Sequence, residues 1–383
     1  MPGVLDDLEG FLEAECQEIL TIRLPFYSSS EARAKARYAC QRKGIVENTA
    51  LHLRLREPFS YILDIASIFL ACLGRERFQI YIGFDPLCTF SGILLRTAGK
   101  VDKVIHYTID VVPERFQSTF MQTVYRFLET FALSKADMLW DLAPQMERAR
   151  LELGIVRDAR LPLEVVPVVT HPLSKLEVSA LTAKRHLVYA GSLREEMGVE
   201  AALTAFSLAA KTLPDLRFTI LGEGPLRSPL EELSRGLGIA HRVTFSGVKS
   251  GQELRQLLSQ AGVGVALYKP GPHSFSLFSD PSKYKLYASH GIPIITTAVN
   301  PLARELERVG AAIVVPYEPI AISRAITDLA NMSASDYTGR RAAAYAFGLG
   351  FAAERVYPGV FQRVTQHLGL SSASTLLPPS PPA

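Results

Sequence analysis

The sequence lacks the motifs that assign chains of this length to the common nucleotide-binding classes. It has no Walker A motif and no D-x-D pair, so neither a P-loop nor an aspartate pair holding a metal on a diphosphate is available. Segment 222–227 (GEGPLR) comes closest to a dinucleotide fingerprint, but Arg227 stands where the third glycine belongs, which argues against an NAD site. A diphosphate ligand would therefore need cationic side chains and helix N-termini to neutralise it.

Cysteine clusters, strong net charge and long apolar runs are also missing. The four cysteines stand far apart without a C-x-x-C spacing, which indicates reduced thiols in a cytoplasmic protein and no metal site. A formal net charge of +3 is too small to indicate a nucleic-acid partner. Acidic residues at positions 6, 7 and 9 interrupt any signal peptide. The most apolar stretch, 59–73, contains Asp64 and is shorter than the ~20 residues that span a bilayer, so it predicts a core helix. Peripheral contact with the inner face of a membrane stays open.

The order of apolar patterns predicts two α/β domains in 383 residues. In the first half, strands are predicted at 18–24, 78–82, 103–109, 138–140 and 164–169. Helices are predicted at 5–16, at 30–41, after the segment 83–86 as far as residue 95, and at 118–133. In the second half, strands are predicted at 186–190, 217–221, 242–245, 263–266, 293–296 and 312–315, with helices at 198–211, 228–237, 251–260, 281–289, 320–329 and, broken at Gly348 and Gly350, 340–368. Strands separated by helices pair in parallel, so both halves are predicted to be Rossmann-like, doubly wound domains.

The first half begins with a helix, whereas a complete domain of this class begins with a strand and a tight loop. The N-terminal sheet is therefore predicted to lack its usual central first strand, unless another segment fills that place. We assign residues 1–170 to this truncated domain, 171–184 to a polar linker and 185–345 to the second domain. The tail 371–383 is rich in proline and serine and is predicted to be disordered.

Two loops of the second half place small or cationic residues where strands end. Gly191, Ser192 and Arg194 follow its first strand, and Gly222 and Gly224 follow the next. Ligands of doubly wound sheets bind at the carboxyl ends of strands, where glycines let the backbone approach a phosphate. These residues are therefore candidates for binding a phosphorylated ligand. Plain turns, with Arg194 in solvent, would produce the same pattern.

Segment 278–287 (FSDPSKYKLY) carries the sharpest signal. Asp280 or Ser279 is predicted to cap a helix whose first turn contains Pro281. Lys283 then adds a cation to the positive end of that helix, and Tyr287, four residues later, shares its face. A helix cap alone does not explain a lysine in the first turn, where its charge adds to the positive end of the helix. We therefore predict an anion-binding site here.

These residues resemble the donor site of GT-B glycosyltransferases, most closely the bacterial group 1 enzymes. The resemblance rests on segment 280–283 (DPSK), on 291–293 (GIP), on Gly191 and on 222–225 (GEGP), and it covers residues 185–330. It extends to 83–86, 109–116 and Trp140 in the first half.

The resemblance implies two domains facing across a cleft. The second domain would hold a nucleoside-diphosphate sugar, linked to UDP or GDP, through the signature that includes Asp280 and Ser282, with Lys283 on the diphosphate and Tyr287 near the nucleoside. The acceptor, a glycan or a lipid-linked sugar, would lie on the first domain, and helices in 346–370 would cross back to it. No metal or other cofactor is expected. The chain would act in the synthesis of surface polysaccharides or glycoconjugates.

The sequence departs from the family pattern at four positions. Ser192 and Met197 stand where many members have arginine and lysine, and Phe278 and Leu286 stand where they have glutamates. These losses keep a second hypothesis open, a catalytically inactive partner protein that retains the fold. A third is an epimerase or a phosphorylase on the same fold.

On the acceptor side, Asp110 is the predicted general base. It follows the strand at 103–109, where a carboxylate can take a proton from an acceptor hydroxyl. Asp85, after the preceding strand, is the rival base, and Arg115 is predicted to steer a phosphate or uronate on the acceptor. A cap of the turn before Pro113 would also explain Asp110. His106, inside the strand, is predicted to be a core residue.

Overall fold

The computed structural model describes residues 3–24, 33–40, 44–51, 59–111, 115–116, 118–174, 183–271 and 274–370. The chain divides into two compact units. The N-terminal unit comprises Val4–Pro167 and the chain from Tyr357 onward, and the C-terminal unit runs from Val168 to Val356. The division between Val356 and Tyr357 falls inside the last helix, where no loop signal marks it in the sequence. The predicted tail and most of the predicted linker lie outside the described residues.

The N-terminal unit contains two sheets. Its elements in chain order are α1 (Val4–Glu15), β1 (Glu18–Arg23), β2 (Arg33–Cys40), β3 (Gly44–Leu51), α2 (Phe59–Cys72), β4 (Phe78–Phe84), α3 (Asp85–Thr97), β5 (Val101–Thr108), α4 (Thr119–Lys135), β6 (Met138–Asp141), α5 (Met146–Glu152) and β7 (Leu163–Val165). Strands β4 to β7 form a parallel sheet in sequence order, whereas β1, β2 and β3 form a separate antiparallel sheet.

Two predictions for this unit are wrong. The basic segment predicted as a helix at 30–41 is strand β2 over its described part, because it pairs with β1 on one side and β3 on the other. The strand predicted at 164–169 is limited to Leu163–Val165. Among the described residues, β4 is an edge strand of the parallel sheet, and β1 pairs elsewhere instead of serving as a first strand.

The C-terminal unit is a six-stranded parallel sheet in the order β10-β9-β8-β11-β12-β13, the doubly wound arrangement that the sequence predicted. Its elements are β8 (His186–Ala190), α6 (Val199–Ala209), β9 (Arg217–Leu221), α7 (Arg227–Gly236), β10 (Val243–Gly247), α8 (Gly251–Ser259), β11 (Val263–Ala266), α9 (Ser282–Ser289), β12 (Ile294–Thr296), α10 (Leu302–Arg308), β13 (Ala312–Val314), α11 (Pro319–Asn331), α12 (Ala334–Leu349) and α13 (Ala353–Leu368), the last shared with the other unit. Gly348 lies inside α12, so the predicted break at that residue is wrong.

Apolar side chains cover both faces of this sheet. One cluster includes Tyr189, Phe206 and Phe218, and the other includes Tyr284 and Tyr287. Neighbouring residues of β8 contribute to opposite clusters, as expected for a strand buried on both faces. The sheet order reverses between β8 and β11, so the loops after these two strands diverge and leave room for a ligand at their carboxyl ends.

Candidate functional site

In the C-terminal unit, backbone hydrogen bonds hold the loops after β8 and β9 against each other. The N–H of Gly191 donates to Leu221 O at 2.9 Å, and that of Leu193 donates to Glu223 O at 2.9 Å. A Cβ placed on Gly222 would lie 1.8 Å from Gly191 O, and one on Gly224 would lie 2.4 Å from Leu193 O. The approach is too close for any side chain, so glycine is required where the two loops meet.

The predicted loop side chains differ in how accessible they are. Ser192 and Arg194 are exposed, and Gly191, Gly222 and Gly224 are partly exposed. The loops therefore present backbone and small or cationic side chains to solvent at the ends of β8 and β9, where a ligand is expected.

Lys283 is the buried cation of this site. It lies in the first turn of α9 and is 7% exposed. Its Nζ lies 5.0 Å from the ring centres of both Tyr189 and Tyr268 and 3.0 Å from Met197 Sδ. A Cβ on Gly191 would lie 3.0 Å from the same Nζ, so the amine is directly beside the loop after β8.

Burial lowers the pKa of Lys283 to about 7. Among the described residues no carboxylate pairs with it, and its surroundings are aromatic rings and a thioether. Such an environment disfavours the charged amine until an anion arrives. Tyr189, Tyr268 and Met197 were not predicted as neighbours of Lys283. Of these three residues, the sequence singled out Met197 alone, because it stands where many members of the family have a lysine.

Tyr287 does not reach solvent. Its side chain is fully buried, and its hydroxyl accepts from the Ala190 N–H at 2.7 Å and donates to Val265 O at 3.3 Å. Those bonds join α9 to β8 and β11, and the placement of Tyr287 near a nucleoside stays a prediction. Ser282, at the start of α9, is partly exposed.

Asp280 is not a helix cap, contrary to the prediction. Pro281 takes the N-cap position of α9, and no side chain caps the helix. The Asp280 carboxylate pairs instead with Lys285 Nζ at 2.5 Å and accepts from the Val168 N–H at 2.6 Å. Lys285 also donates to Val168 O at 3.1 Å. This buried pair fixes the segment on both sides of Lys283. The sequence did not single out Lys285, because its partners are defined only by the fold.

In the N-terminal unit, the predicted acceptor-side residues come together. Arg115 Nη1 donates to Asp110 Oδ1 at 2.7 Å, and its Nη2 lies 3.8 Å from Asp85 Oδ2. The guanidinium also lies over the Tyr125 ring, 5.3 Å from its centre. Both aspartates follow neighbouring parallel strands, which explains why residues 25 positions apart share one arginine.

Asp85 has unusual local geometry. It has a φ of 69°, the only positive value outside glycine among the described residues, and it begins α3 immediately before Pro86. Its Oδ1 is buried without a hydrogen-bond partner in the described part of the chain. Burial raises the pKa of Asp85 to about 6, Arg115 opposes that shift and Asp110 adds to it. Left-handed backbone at such a residue costs ~1–3 kcal/mol and often marks a functional position.

A fully buried polar network lies behind these residues and was not predicted as a unit. Thr89 Oγ1 is 2.7 Å from His106 Nδ1 and donates to the Asp85 carbonyl at 3.1 Å. His106 Nε2 lies 3.1 Å from Glu129 Oε2, and Arg150 Nε donates to Glu129 Oε1 at 2.9 Å. His106 is thus a core residue, as the sequence predicted.

Arg150 closes the network on the neighbouring strands. It forms a two-pronged ion pair with Asp141 and donates to Thr108 Oγ1 at 2.6 Å. Burial opposes ionisation of Glu129, but His106 and Arg150 outweigh it and lower the pKa of Glu129 to about 2. The network therefore fixes the backbone at Asp85 and at Thr108, two residues before Asp110.

The described residues contain no group of three or more histidine, cysteine, aspartate or glutamate side chains that could hold a metal ion. No helix in the described ranges is both long and apolar enough to cross a membrane.

The comparisons with known proteins agree on the fold. Residues 184–332 match the family model described as Glycosyl transferases group 1. Alpha-D-kanosaminyltransferase from Streptomyces kanamyceticus is 29% identical over 150 residues, which are 36% of this chain and only 38% of that relative. HepE from Anabaena in complex with UDP superposes with a TM-score of 0.58 at 11% identity over 80% of this chain and 82% of that one.

A second solved structure gives the same result. The sucrose-phosphate synthase from Thermosynechococcus elongatus superposes with a TM-score of 0.62 at 18% identity, over 84% of each chain. These identities show the fold alone, and the family match covers the unit that holds Lys283. The chain therefore has the GT-B fold, and residues 184–332 match the group 1 glycosyl transferase family.

Proposed function

We propose that the chain transfers a hexosyl unit from a nucleoside-diphosphate sugar to a hydroxyl of a glycan or lipid-linked acceptor. The C-terminal unit holds the donor, with its diphosphate at Lys283 and the loops after β8 and β9. One observation carries the proposal: Lys283 is a buried amine without a carboxylate partner in the described residues, beside loops that only glycine can form. A diphosphate would supply the missing anion.

UDP is the proposed nucleotide. HepE is described in complex with UDP, and the pneumococcal O-GlcNAc transferase GtfA, which superposes with a TM-score of 0.60 at 15% identity over 92% of this chain and 70% of that one, is described in complex with UDP and GlcNAc. We further propose that Lys283 and the N-terminus of α9 neutralise the diphosphate without a metal ion. Synthesis of surface polysaccharide or glycoconjugate in the cytoplasm, with peripheral contact to the membrane, completes the proposal.

Replacing Lys283 tests the donor site. We expect Lys283→Ala to raise the Kd of UDP-glucose by about 10- to 100-fold, because hydrogen bonds to charged groups contribute about 1.5–3 kcal/mol. Isothermal titration calorimetry measures the change. Lys211→Ala is the matched control, since this exposed lysine follows the C-terminal end of α6 in the same unit, away from the carboxyl ends of the strands. Equal affinity in the wild type and Lys283→Ala would remove the assignment. Release of UDP from UDP-glucose by the purified chain distinguishes an enzyme from an inactive partner protein.

The affinity for UDP-glucose is expected to depend on pH through the same amine. The free pKa of Lys283 is about 7, lowered by burial, and a bound diphosphate favours the ammonium form and raises it. Binding then takes up a proton above pH 7, so the Kd is lowest below pH 7 and rises up to about tenfold per pH unit above it. UDP-glucose suits the measurement because it has no phosphate monoester that titrates near pH 6. Lys283→Ala is expected to give a flat profile up to about pH 8.5, and a flat wild-type profile would refute this coupling.

A further inference from the structure

The charge balance around Arg115 decides what the acceptor side can bind. Arg115 was predicted to steer an anionic group, but its guanidinium already contacts Asp110 at 2.7 Å and Asp85 at 3.8 Å. Its remaining face lies on the Tyr125 ring. Two carboxylates around one guanidinium leave this cluster without an unneutralised positive charge. An incoming phosphate or uronate would meet repulsion from both aspartates.

The Asp85 carboxylate has unused hydrogen-bonding capacity. Within the described residues no hydrogen bond reaches either oxygen of its carboxylate, and Oδ1 is buried. The side chain is nevertheless 36% exposed, so a solute can reach it. A buried or half-buried carboxylate is stabilised by groups that donate hydrogen bonds, which are hydroxyls and amines and not carboxylates or phosphates.

The surrounding structure holds Asp85 in place for such a contact. The left-handed backbone conformation fixes the direction of its side chain, and Thr89 ties the Asp85 carbonyl to His106 and through it to Glu129. Thr108, two residues before Asp110, is held by Arg150 of the same network. Both aspartates therefore stand on a buried polar network that limits their movement.

We infer that Asp85, Asp110 and Arg115 form an acceptor site selective for uncharged or amino sugars. The Asp85 carboxylate accepts a hydrogen bond from the sugar, and Arg115 pairs with the two aspartates and does not bind the sugar. The role of this cluster as an acceptor site rests on the proposed function, whereas its binding of a sugar does not. In this arrangement Arg115 is a positioning residue.

Carboxyl-carbon NMR of the full chain, labelled with 13C-aspartate, tests the inference. The Asp85 signal is identified by its loss in Asp85→Asn, and the probes are methyl α-D-glucoside, D-glucosamine and D-glucuronate. At about 100 mM, enough to fill a site with a millimolar Kd, the first two are expected to shift the Asp85 signal and glucuronate is not. A shift with glucuronate at equal or lower concentration, or no shift with either of the other sugars, overturns the inference.

A gain of binding supplies the second test. In Asp110→Asn, Arg115 loses its 2.7 Å partner, so glucuronate is expected to bind at least about tenfold more tightly than to the wild type. Asp102→Asn is the matched control, because Asp102 lies on β5, the strand that precedes Asp110, and pairs with Arg77. Unchanged glucuronate affinity in Asp110→Asn contradicts the role given to Arg115. If these two sugar-binding tests fail but the chain binds UDP-glucose normally, the proposed donor site stands and the inference about Asp85, Asp110 and Arg115 does not. If the chain does not bind UDP-glucose but passes the sugar-binding tests, the inference stands and the proposed donor site does not.

Discussion

Arg150→Ala is expected to lower the free energy of unfolding of the N-terminal unit by about 3–5 kcal/mol. The guanidinium is 1% exposed and bonds to both Glu129 and Asp141, which are buried as well. Its removal leaves two carboxylates in the core without their shared cation, and Thr108 Oγ1 loses its donor. Urea unfolding monitored by the fluorescence of Trp140, which is buried in the same unit, measures the loss.

Arg148→Ala provides the control for this measurement. Arg148 lies on the same helix, but its side chain is 78% exposed and pairs with Glu152 at 3.7 Å. Its removal is expected to change stability by no more than about 0.5 kcal/mol. A loss below about 1 kcal/mol in Arg150→Ala would mean that Glu129 and Asp141 gain other partners, and the network would not then fix Asp85 or Asp110.

Asp280→Ala is expected to destabilise the C-terminal unit by a similar amount, about 3–5 kcal/mol. Within the described part of the chain, the buried Lys285 Nζ would keep Val168 O at 3.1 Å and the Phe351 ring at 4.2 Å but no carboxylate partner. The Val168 N–H would lose its acceptor. Thermal unfolding of the variant, with and without UDP-glucose, measures both the loss and its effect on the donor site, since Lys283 lies between Asp280 and Lys285 in the sequence.

Two variants make that result specific. Glu195→Ala breaks the exposed pair with Lys269 and is expected to change little. The double variant Asp280→Ala/Lys285→Met removes both charges and is expected to recover part of the stability, because no unpaired ion remains buried. No recovery would show that the bond to Val168, and not the ion pair, accounts for the loss.

The sequence predicted the C-terminal sheet well because its information is local. The strands are short apolar runs, several of them followed by a glycine, and those at His186–Ala190, Arg217–Leu221 and Val263–Ala266 have the predicted bounds. The segment Arg33–Cys40 was missed because its state depends on two partner strands. Residue patterns do not encode that pairing.

The candidate site was predicted in part for the same reason. The strand-end glycines and Lys283 are read from local motifs, and the structure brings them together. The hydrogen bonds of Asp280 and Tyr287 go to Val168 and Ala190, which lie 112 and 97 residues away, so neither bond was predicted and Asp280 was expected to cap a helix. The residues of the polar network around Glu129 and Arg150 come from five elements, so no local motif marks it.

The close approach of Gly222 to Gly191 also bears on how this protein can diversify. Any side chain at the crossing would separate the loops, so the backbone frame around the ligand tolerates almost no substitution. Ser192 and Arg194, beside that frame, project into solvent and can be exchanged without disturbing it. The proposed donor site can therefore change its ligand preference by single side-chain changes at these two positions while the architecture stays constant.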